Sequence, residues 1–513
     1  MVAAGVVVRA LCFVGLASGD PQDDGVYYGN AYTLYHEGPS YLARYRNLPP
    51  GFLANPIDQF NVRPMVTYPI VASFALFGPG ELAAALWPLV CSALTIGVVY
   101  RIGRVVHGPR VGMIAALLCT FYPLEVINGT RILSDAIVGL FSSIAIWLLI
   151  EGMARSSLRH AFLAGVSSGA AYLANARGLI LLAALAVTVA IVPPTRRRDP
   201  KAIVALLAGF AAILAVEGAV YLATTGDPLL SIHIQRSAAE YKYLHEPVTT
   251  IDWGRLHVRY TNGTPFELTR AAFRLDRDAV NQYGWFFFLF LPAVVFGVAD
   301  RSTTRLAMLA IGLFIYLEFG PVAVHVNWPA GTVDYLMVFK QQRFLTMLTG
   351  PLLVVSATLI ERLARRTRVV AVVLVAALCV TSGAAILQAR GFYRAGLSDL
   401  RSLADDVATH PDRVYFSDTW AVWHLRIFTR YRTRNLRVLA ATDRLQALDG
   451  GCLIVGGGRG VELVSDYVES RLPPFARQIL VSGQPPSGLT LVRSVGGPRT
   501  PWRRHDLSVY CPP

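Results

Sequence analysis

Carboxylates recur at the ends of apolar runs in this 513-residue chain. Asp23 and Asp24 follow the first run, and Asp135 opens another in "DAIVGLF". A carboxylate in such a place can act as a general base that deprotonates a hydroxyl group. Asp also suits polar loops and helix N-termini, so a structural role is the alternative interpretation.

Basic residues accompany these acids in neighbouring polar segments. The candidates are Arg63, Arg131, Arg177, Lys340 and Arg343. Arg and Lys neutralise a phosphate, and Arg does so through a bidentate fork. Carboxylates beside such cations suit the attack of a hydroxyl group on a lipid phosphosugar. The alternative, that each Arg reaches to lipid headgroups or caps a helix, weakens when several segments contribute.

Membrane-spanning helices must position these groups. Hydrophobic residues make up 54% of the chain and charged residues only 16%, whereas a soluble domain averages about 25% charged. The apolar runs predict eleven spans. Their limits are 1–19, 82–100, 111–128, 132–152, 161–177, 179–194, 202–222, 284–299, 305–321, 344–361 and 369–388. Arg9 interrupts the first run, and a basic n-region is missing, which favours a span over a signal peptide.

The distribution of charge predicts the orientation. With the N-terminus inside, the arginines concentrate in the cytoplasmic loops at 101–110, 155–159, 195–201, 301–305 and 361–368. The short outer loops hold one Arg each, which satisfies the positive-inside rule. The loops account for much of the net charge of +14 without nucleic acid as a partner. Segments 20–81, 223–283 and 322–343 then lie outside.

The candidate residues share this predicted outer face. Other ionisable residues placed there are Glu125, His325 and Asp334. Ionisable groups at membrane depth are costly and usually functional. Aromatic side chains at the same level fit an interfacial belt, and they are Tyr27, Tyr28 and Trp328.

Residues 389–513 differ in composition from the membrane domain, residues 1–388. Strand-like runs occur at 413–418, 452–457 and 489–495, between helix-compatible stretches. They predict a small extracytoplasmic α/β domain, where Cys452 and Cys511 could pair. Its segment 417–434 is aromatic and basic, which fits either binding of an anionic glycan or a partly packed helix.

The order of the motifs resembles the GT-C superfamily of polyprenyl-phosphate-sugar-dependent glycosyltransferases. The similarity is to the branch of protein O-mannosyltransferases, aminoarabinose transferases and RgtA/B/C/D-like enzymes. "DDGVY" (23–27) resembles the family's acidic pair and tyrosine, with Asp24 where Glu is common. "VRPMVTYP" (62–69) resembles its basic residue and prolines, with Met65 where a second proline is common.

Further motifs follow in the family's order. They are "LFGPGELAAALWPLVCSALTIGVVYRIGR" (76–104), "YPLEVINGTRILSDA" (122–136), "HAFLAGVSSGAAYLANARG" (160–178) and "QQRFLTMLTGP" (341–351). The resemblance covers residues 1–194 well, 322–362 fairly and the tail in outline. It implies an all-α polytopic membrane protein of about eleven helices with the α/β domain at its C-terminus. The oligosaccharyltransferase motif "WWDYG" is absent, which argues against N-glycan transfer.

The resemblance also implies roles for the candidates. Asp23 is the expected catalytic base, with Asp24 and Asp135 in support. Arg63 and Arg343 are expected to bind the donor phosphate, followed by the other basic candidates, Lys340, Arg131 and Arg177. Some relatives bind a divalent ion near these acids, but this sequence requires no cofactor and offers no Cys/His metal spacing.

The predicted function is transfer of a hexose or pentose from a polyprenyl-phosphate donor to a lipid, glycan or protein hydroxyl. The reaction is placed at the extracytoplasmic face of a bacterial inner (plasma) membrane. The main alternative is a transporter or flippase of cell-envelope glycolipids, which should show repeats and charged residues near the middle of the bilayer. A third is a membrane-anchored binding protein whose tail carries the function.

Overall fold

The structure is a computed structural model. It describes residues 1–17, 23–46, 58–191, 200–245, 248–261, 282–321, 323–337, 342–440, 442–457, 472–496 and 505–513. Helices dominate as far as residue 409, and strands are most frequent near the C-terminus.

The helices that correspond to predicted spans begin close to the predicted limits, and further helices lie between and after them. They are α1 Val2–Leu11, α2 Asp23–Glu37, α3 Pro64–Phe77, α4 Glu81–His107, α5 Pro109–Phe121, α6 Pro123–Gly129, α7 Asp135–Arg155, α8 Leu158–Ala174, α9 Gly178–Ile191, α10 Pro200–Thr225, α11 Leu230–His245, α12 Phe286–Ala299, α13 Thr304–Phe319, α14 Thr349–Arg366, α15 Arg368–Ala395, α16 Ser398–Thr409, α17 Thr419–Phe428 and α18 Pro474–Ser482. Five of them start with proline, which has no N–H to lose in the first turn and a fixed φ that suits the helix. Short 3₁₀ turns occupy Gly38–Tyr45, Asp58–Phe60, Gln342–Leu348 and Leu445–Leu448.

Five helices in the described part of the chain are long and apolar enough to cross a membrane. They are α4, α7, α10, Gln342–Arg366 and α15. A sixth is formed if α5 and α6, which meet at a 54° bend, count as one span. Helices α1, α3, α9 and α12 are apolar but shorter. The structure therefore supports a multi-pass helical fold, without confirming the count of eleven.

Helices α8 and α10 pack with their backbones in contact. A Cβ added at Gly165 would lie 1.9 Å from the carbonyl oxygen of Leu206. On the other helix, a Cβ at Gly209 would lie 2.0 Å from the carbonyl oxygen of Phe162. Small residues of this kind let helices approach closely where apolar burial cannot drive association.

A four-stranded sheet joins two segments that are predicted to lie outside. Its strands are β1 Val248–Trp253, β2 Leu256–Thr261, β3 Ala323–Asn327 and β4 Thr332–Met337, in the order β1-β2-β4-β3. His325 and Asp334 face each other across β3 and β4. Their side chains come within 3.9 Å of each other, so both belong to this sheet.

The C-terminal region (residues 398–513) holds a second sheet. Its strands are β5 Tyr415–Ser417, β6 Leu436–Val438, β7 Cys452–Gly457, β8 Thr490–Val495 and β9 His505–Cys511, in the order β6-β5-β7-β9-β8. Three of them lie within the predicted strand-like runs. A disulfide joins Cys452 to Cys511 between the neighbouring strands β7 and β9.

The C-terminal region contacts helix α2. The ring of Tyr431 stacks on Tyr32 with 3.6 Å between ring centroids. Arg401 donates two hydrogen bonds of 2.6 Å to the carboxylate of Glu81 at the start of α4. The imidazole of His424 lies against Gly25, in the first turn of α2. The region is therefore anchored beside the helix that begins with the acidic pair.

Candidate active site

The candidate residues lie at or just before the N-termini of five helices, which bring them together. Asp23 and Asp135 begin α2 and α7, Arg63 and Arg177 precede α3 and α9, and Arg343 lies in the 3₁₀ turn before α14. Carboxylates are favoured in the first turn because the unsatisfied N–H groups there carry partial positive charge.

Four of these residues form a continuous chain of ion pairs. Arg343 Nη2 lies 2.6 Å from Asp23 Oδ2, and Arg343 Nη1 lies 3.5 Å from Asp135 Oδ2. Arg177 Nη2 lies 2.6 Å from Asp135 Oδ1. The side chain of Asp135 is 1% exposed and that of Asp23 is 17% exposed. Asp23 is therefore the more accessible carboxylate of this cluster.

Asp24 faces a different partner. Its Oδ2 atom accepts hydrogen bonds from Arg131 Nη2 at 3.1 Å and from the Ala17 amide at 3.1 Å. The Arg131 guanidinium also lies 4.8 Å from the ring of Tyr393. The two charged side chains are 4% and 1% exposed. The adjacent acids are thus separated, with Asp23 in the ion-pair cluster and Asp24 in a buried pair that anchors α2.

Arg63 has no carboxylate partner among the described residues. Its guanidinium donates to the Tyr27 hydroxyl and to Gln59 Oε1, and its Nε atom is buried without a hydrogen bond. Arg177 likewise has a buried Nη1 atom without a hydrogen-bond partner in the part of the chain that is described. Both arginines therefore have donors available for an anion.

The cluster carries surplus positive charge. In the described part of the molecule it contains three guanidinium groups, those of Arg63, Arg177 and Arg343, and the carboxylates of Asp23 and Asp135. Arg63 and Arg343 both repel the Arg177 guanidinium, so the three cations are close in space. A bound anion would relieve this repulsion. No group of three or more His, Cys, Asp or Glu side chains that could hold a metal ion occurs in the described ranges.

Tyr27 joins this cluster, whereas its place in the sequence predicts a residue of the interfacial belt. Its side chain is fully buried, and its hydroxyl contacts both Arg63 and Ser134. Burial raises the pKa of Tyr27, so its hydroxyl stays protonated. Asp23 and Tyr27 are four residues apart, which puts them on one face of α2. This four-residue spacing is the feature of the sequence from which a place for Tyr27 beside Asp23 could have been predicted. Tyr28 is also buried, whereas Trp328 is 84% exposed.

The remaining candidates lie elsewhere. Glu125 is completely buried and accepts a hydrogen bond of 3.1 Å from Thr349 Oγ1. Arg9 is also completely buried and donates to Ser92 Oγ at 2.7 Å. Lys340 falls outside the described residues.

Residues 61–221 match the family described as dolichyl-phosphate-mannose-protein mannosyltransferase. The fold is similar to crystal structures of ArnT from Cupriavidus metallidurans. The apo form has 14% identity and a TM-score of 0.60, with 99% of this chain and 96% of that chain covered. The form bound to undecaprenyl phosphate has 13% identity and a TM-score of 0.62, with 99% and 97% covered.

A crystal structure of the Archaeoglobus fulgidus oligosaccharyltransferase, in complex with Zn and sulfate, is similar at 14% identity and a TM-score of 0.53. The similarity covers 84% of this chain and 61% of that chain. No curated protein sequence matches the chain. The resemblance to the GT-C superfamily is confirmed, in fold over nearly the whole chain and by the family match over residues 61–221.

Proposed function

We propose that the chain is a multi-pass membrane glycosyltransferase that uses a polyprenyl-phosphate-linked sugar as donor. The acceptor is a hydroxyl group of a lipid, glycan or protein. The observation that carries the proposal is a buried surplus of guanidinium groups beside the accessible carboxylate of Asp23. The crystal structure of ArnT with undecaprenyl phosphate supports a polyprenyl phosphate as the lipid.

The arginines bind the donor phosphate. Arg63, Arg177 and Arg343 stabilise the negative charge that grows on the phosphate as its bond to the anomeric carbon breaks. The acceptor oxygen attacks that carbon, and Asp23 takes the proton from the acceptor hydroxyl. The products are the glycosylated acceptor and the free polyprenyl phosphate.

The ion pairs couple binding of the donor to activation of the base. Arg343 holds Asp23 at 2.6 Å, which weakens this carboxylate as a base. A phosphate that binds Arg343 competes for the same guanidinium and restores the basicity of Asp23. Proton transfer is thereby favoured only when the donor is in place.

The other candidates support these groups. Asp135 positions Arg177 and Arg343 through its two oxygens. Asp24 and Arg131 fix the start of α2, so Arg131 acts on the phosphate site indirectly, by holding the helix that carries Asp23. Lys340 keeps its predicted role as a further contact of the donor phosphate.

The site faces the extracytoplasmic side of a bacterial inner (plasma) membrane. Helix α7 has 21 residues from Asp135 to Arg155, about 30 Å, which matches the hydrocarbon thickness. The arginine-rich loops lie toward the Arg155 end, and the positive-inside rule places them in the cytoplasm. The disulfide between Cys452 and Cys511 fits an oxidising compartment. Residues 389–513 then form an extracytoplasmic α/β domain after a membrane domain of about eleven spans.

The test is Asp23→Asn in the purified full chain, assayed with a panel of undecaprenyl-phosphate-linked hexoses and pentoses. We expect transfer to fall by about 10²- to 10⁴-fold because the base is lost. The thermal midpoint should change less than in Asp24→Asn, because Asp23 is partly exposed and Arg343 keeps Asp135 as a partner. The matched control is Asp412→Asn, at an exposed acid of the C-terminal region. Full activity of Asp23→Asn would exclude Asp23 as the base.

A second experiment tests the phosphate site through Arg63→Gln. No ion pair of the described residues is broken, so the fold should be retained. We expect the KM for the donor to rise by about tenfold, as for the loss of one charge-assisted hydrogen bond. Arg159→Gln, at an exposed residue of α8, is the control. A raised KM for the acceptor alone would contradict the assignment.

The transporter or flippase is the second candidate function. Arg9 and Glu125 favour it, because both are ionisable and completely buried within the helical part of the molecule. Vesicles that contain the protein and a fluorescent polyprenyl-phosphate sugar separate the two functions. Movement across the bilayer without cleavage of the phosphosugar bond, unchanged in Asp23→Asn, would replace the enzyme proposal.

A further inference from the structure

A groove of about 780 Å³ opens in the C-terminal region, away from the ion-pair cluster. It lies between the end of α16 and the segment 428–435 that closes α17. Three of its lining residues are exposed arginines, Arg430, Arg432 and Arg434. None of these three guanidinium groups forms an ion pair in the described part of the chain, and the only acid in the lining is Asp405. The lining therefore carries net positive charge.

The backbone that presents Arg430 has an unusual residue at a helix end. The Tyr431 amide donates to the carbonyl of Arg426, and the Arg430 amide donates to that of Ile427. This pair of bonds is the Schellman motif, in which glycine usually takes the left-handed position. Arg430 occupies that position with a φ of 52°, and Tyr431 follows with a φ of 54°. L-residues pay a steric cost in this region, so an arginine here calls for a reason outside helix capping.

Polar groups that suit hydroxyl ligands line the same groove. Asn435 is 7% exposed, and its Nδ2 donates to the carbonyls of His410 and Arg413. These two bonds fix the orientation of the amide and leave its buried Oδ1 without a partner among the described residues. Thr429 and Thr433 add two hydroxyl groups that are hydrogen-bonded to each other. A hydroxyl-bearing ligand would satisfy the Asn435 oxygen.

The groove is linked directly to the helix of the acidic pair. Tyr431, between the groove-lining residues Arg430 and Arg432, stacks on Tyr32 of α2. Tyr32 is nine residues from Asp23, about 14 Å along the helix axis. A short oligosaccharide can span such a distance.

We propose that this groove binds an anionic glycan that bears carboxylate or phosphate groups, and that it is the docking site of the acceptor. The arginines bind the acidic groups, and Asn435 with the threonines binds sugar hydroxyls. The binding stands on the groove alone, whereas the acceptor role rests on the proposed glycosyltransferase function. Anionic phospholipid is the competing ligand, but it does not use the buried carboxamide oxygen.

The experiment measures binding to the full chain in nanodiscs of neutral lipid. The probes are a tetramer of galacturonic acid, a phosphorylated oligosaccharide of the same length and the neutral tetramer of galactose. We expect both acidic probes to bind more than tenfold more tightly than the neutral one, and less tightly at high salt. Equal affinity for acidic and neutral probes would overturn the proposal.

Arg430→Gly separates binding from folding. Glycine suits the left-handed position, so the thermal midpoint should stay the same or rise. Affinity for the acidic probes should fall about threefold, in the range of exposed ion pairs, and more than tenfold when Arg432→Gln and Arg434→Gln are added. Arg437→Gln, at an exposed residue outside the groove, is the control and should leave affinity unchanged. Unchanged affinity in the triple variant would overturn the proposal.

Three further results identify which proposal has failed. If the triple variant weakens binding to phosphatidylglycerol nanodiscs but leaves the affinity for the acidic probes unchanged, the arginines bind the membrane and the glycan site is excluded. If the triple variant loses the probes while Asp23→Asn retains full transfer, the groove stands and the catalytic proposal fails. If the triple variant binds normally while Asp23→Asn is inactive, the enzyme stands and the groove proposal fails.

Discussion

Charged residues gather at both ends of helix α7, but in two different ways. At the Asp135 end, the ion pairs are internal, and the arginine that joins them, Arg343, is 6% exposed. At the Arg155 end, Arg155 pairs with Glu151 one turn away, and the arginine is 65% exposed. Arg365 forms a similar local pair with Glu361 and is 63% exposed.

The two ends of α7 differ in the energetic cost of their charges. Charges at the Asp135 end are costly because they are buried, whereas charges at the Arg155 end are cheap because they are solvated. Buried charges require partners, and removing one partner leaves an uncompensated charge. Exposed pairs contribute little because water screens them. The Asp135 end retains its buried charges at an energetic disadvantage, which is typical of a binding or catalytic site. The Arg155 end meets only the requirement for positive charge on one side of the membrane.

The largest effect on stability is expected from Asp24→Asn. This change removes the carboxylate charge that pairs with the Arg131 guanidinium, which is 1% exposed. The free energy of unfolding should fall by about 3–5 kcal/mol. Thermal unfolding of the purified protein measures it, with Glu151→Gln at the other end of α7 as the matched control. Equal thermal midpoints for Asp24→Asn and Glu151→Gln would contradict the claim that buried and exposed ion pairs differ in their contribution to stability.

A smaller effect is expected from pH through His424. Burial against Trp420 and α2 lowers the pKa of His424 to about 4. The unfolded chain binds this proton near pH 6.5. The contribution of neutral, buried His424 to the free energy of unfolding is therefore fully present above about pH 6.5. It is lost as the pH falls toward 4, by about 3 kcal/mol in total.

The measurement compares thermal midpoints of the wild type and His424→Gln between pH 7.5 and pH 4.5. Gln can replace the Nδ1–H donor to the Trp420 carbonyl but does not titrate. The wild type should lose more stability on acidification than the variant does. Parallel pH profiles would show that this contact between the C-terminal region and α2 does not depend on His424.

The smallest effects are expected at the exposed end. Arg155→Gln and Arg365→Gln each remove one local pair whose arginine is mostly solvated. Each should change the free energy of unfolding by less than about 0.5 kcal/mol and leave transfer unchanged. A loss comparable to that of Asp24→Asn would show that burial does not distinguish the two ends.

The sequence predicted where the helices begin better than what their ends contact. Asp135 was recognisable because it opens an apolar run, and Arg63 because it precedes a proline. The partnership of Asp23 with Arg343 joins residues 320 positions apart, and no local pattern encodes such a pairing. The separation of Asp24 from Asp23 depends on Arg131, 107 residues away.

The span count illustrates a second limit. The predicted first span, 1–19, corresponds to a helix that ends at Leu11. Helix α3, Pro64–Phe77, lies in a segment that was predicted to be an outer loop. Apolar composition identifies burial, but a helix of 10 to 14 residues can be buried in protein without crossing a bilayer. Composition alone does not separate these cases.

The contact between α8 and α10 determines where a lipid chain can enter the helical bundle. The backbones touch at Gly165 and Gly209, so no hydrocarbon chain fits between these helices. If the donor carries a long isoprenoid tail, as we propose, that tail reaches Asp23 through another side of the helical bundle. Bulkier residues at the two glycines would separate α8 from α10 and would open a second path for membrane lipids between these helices.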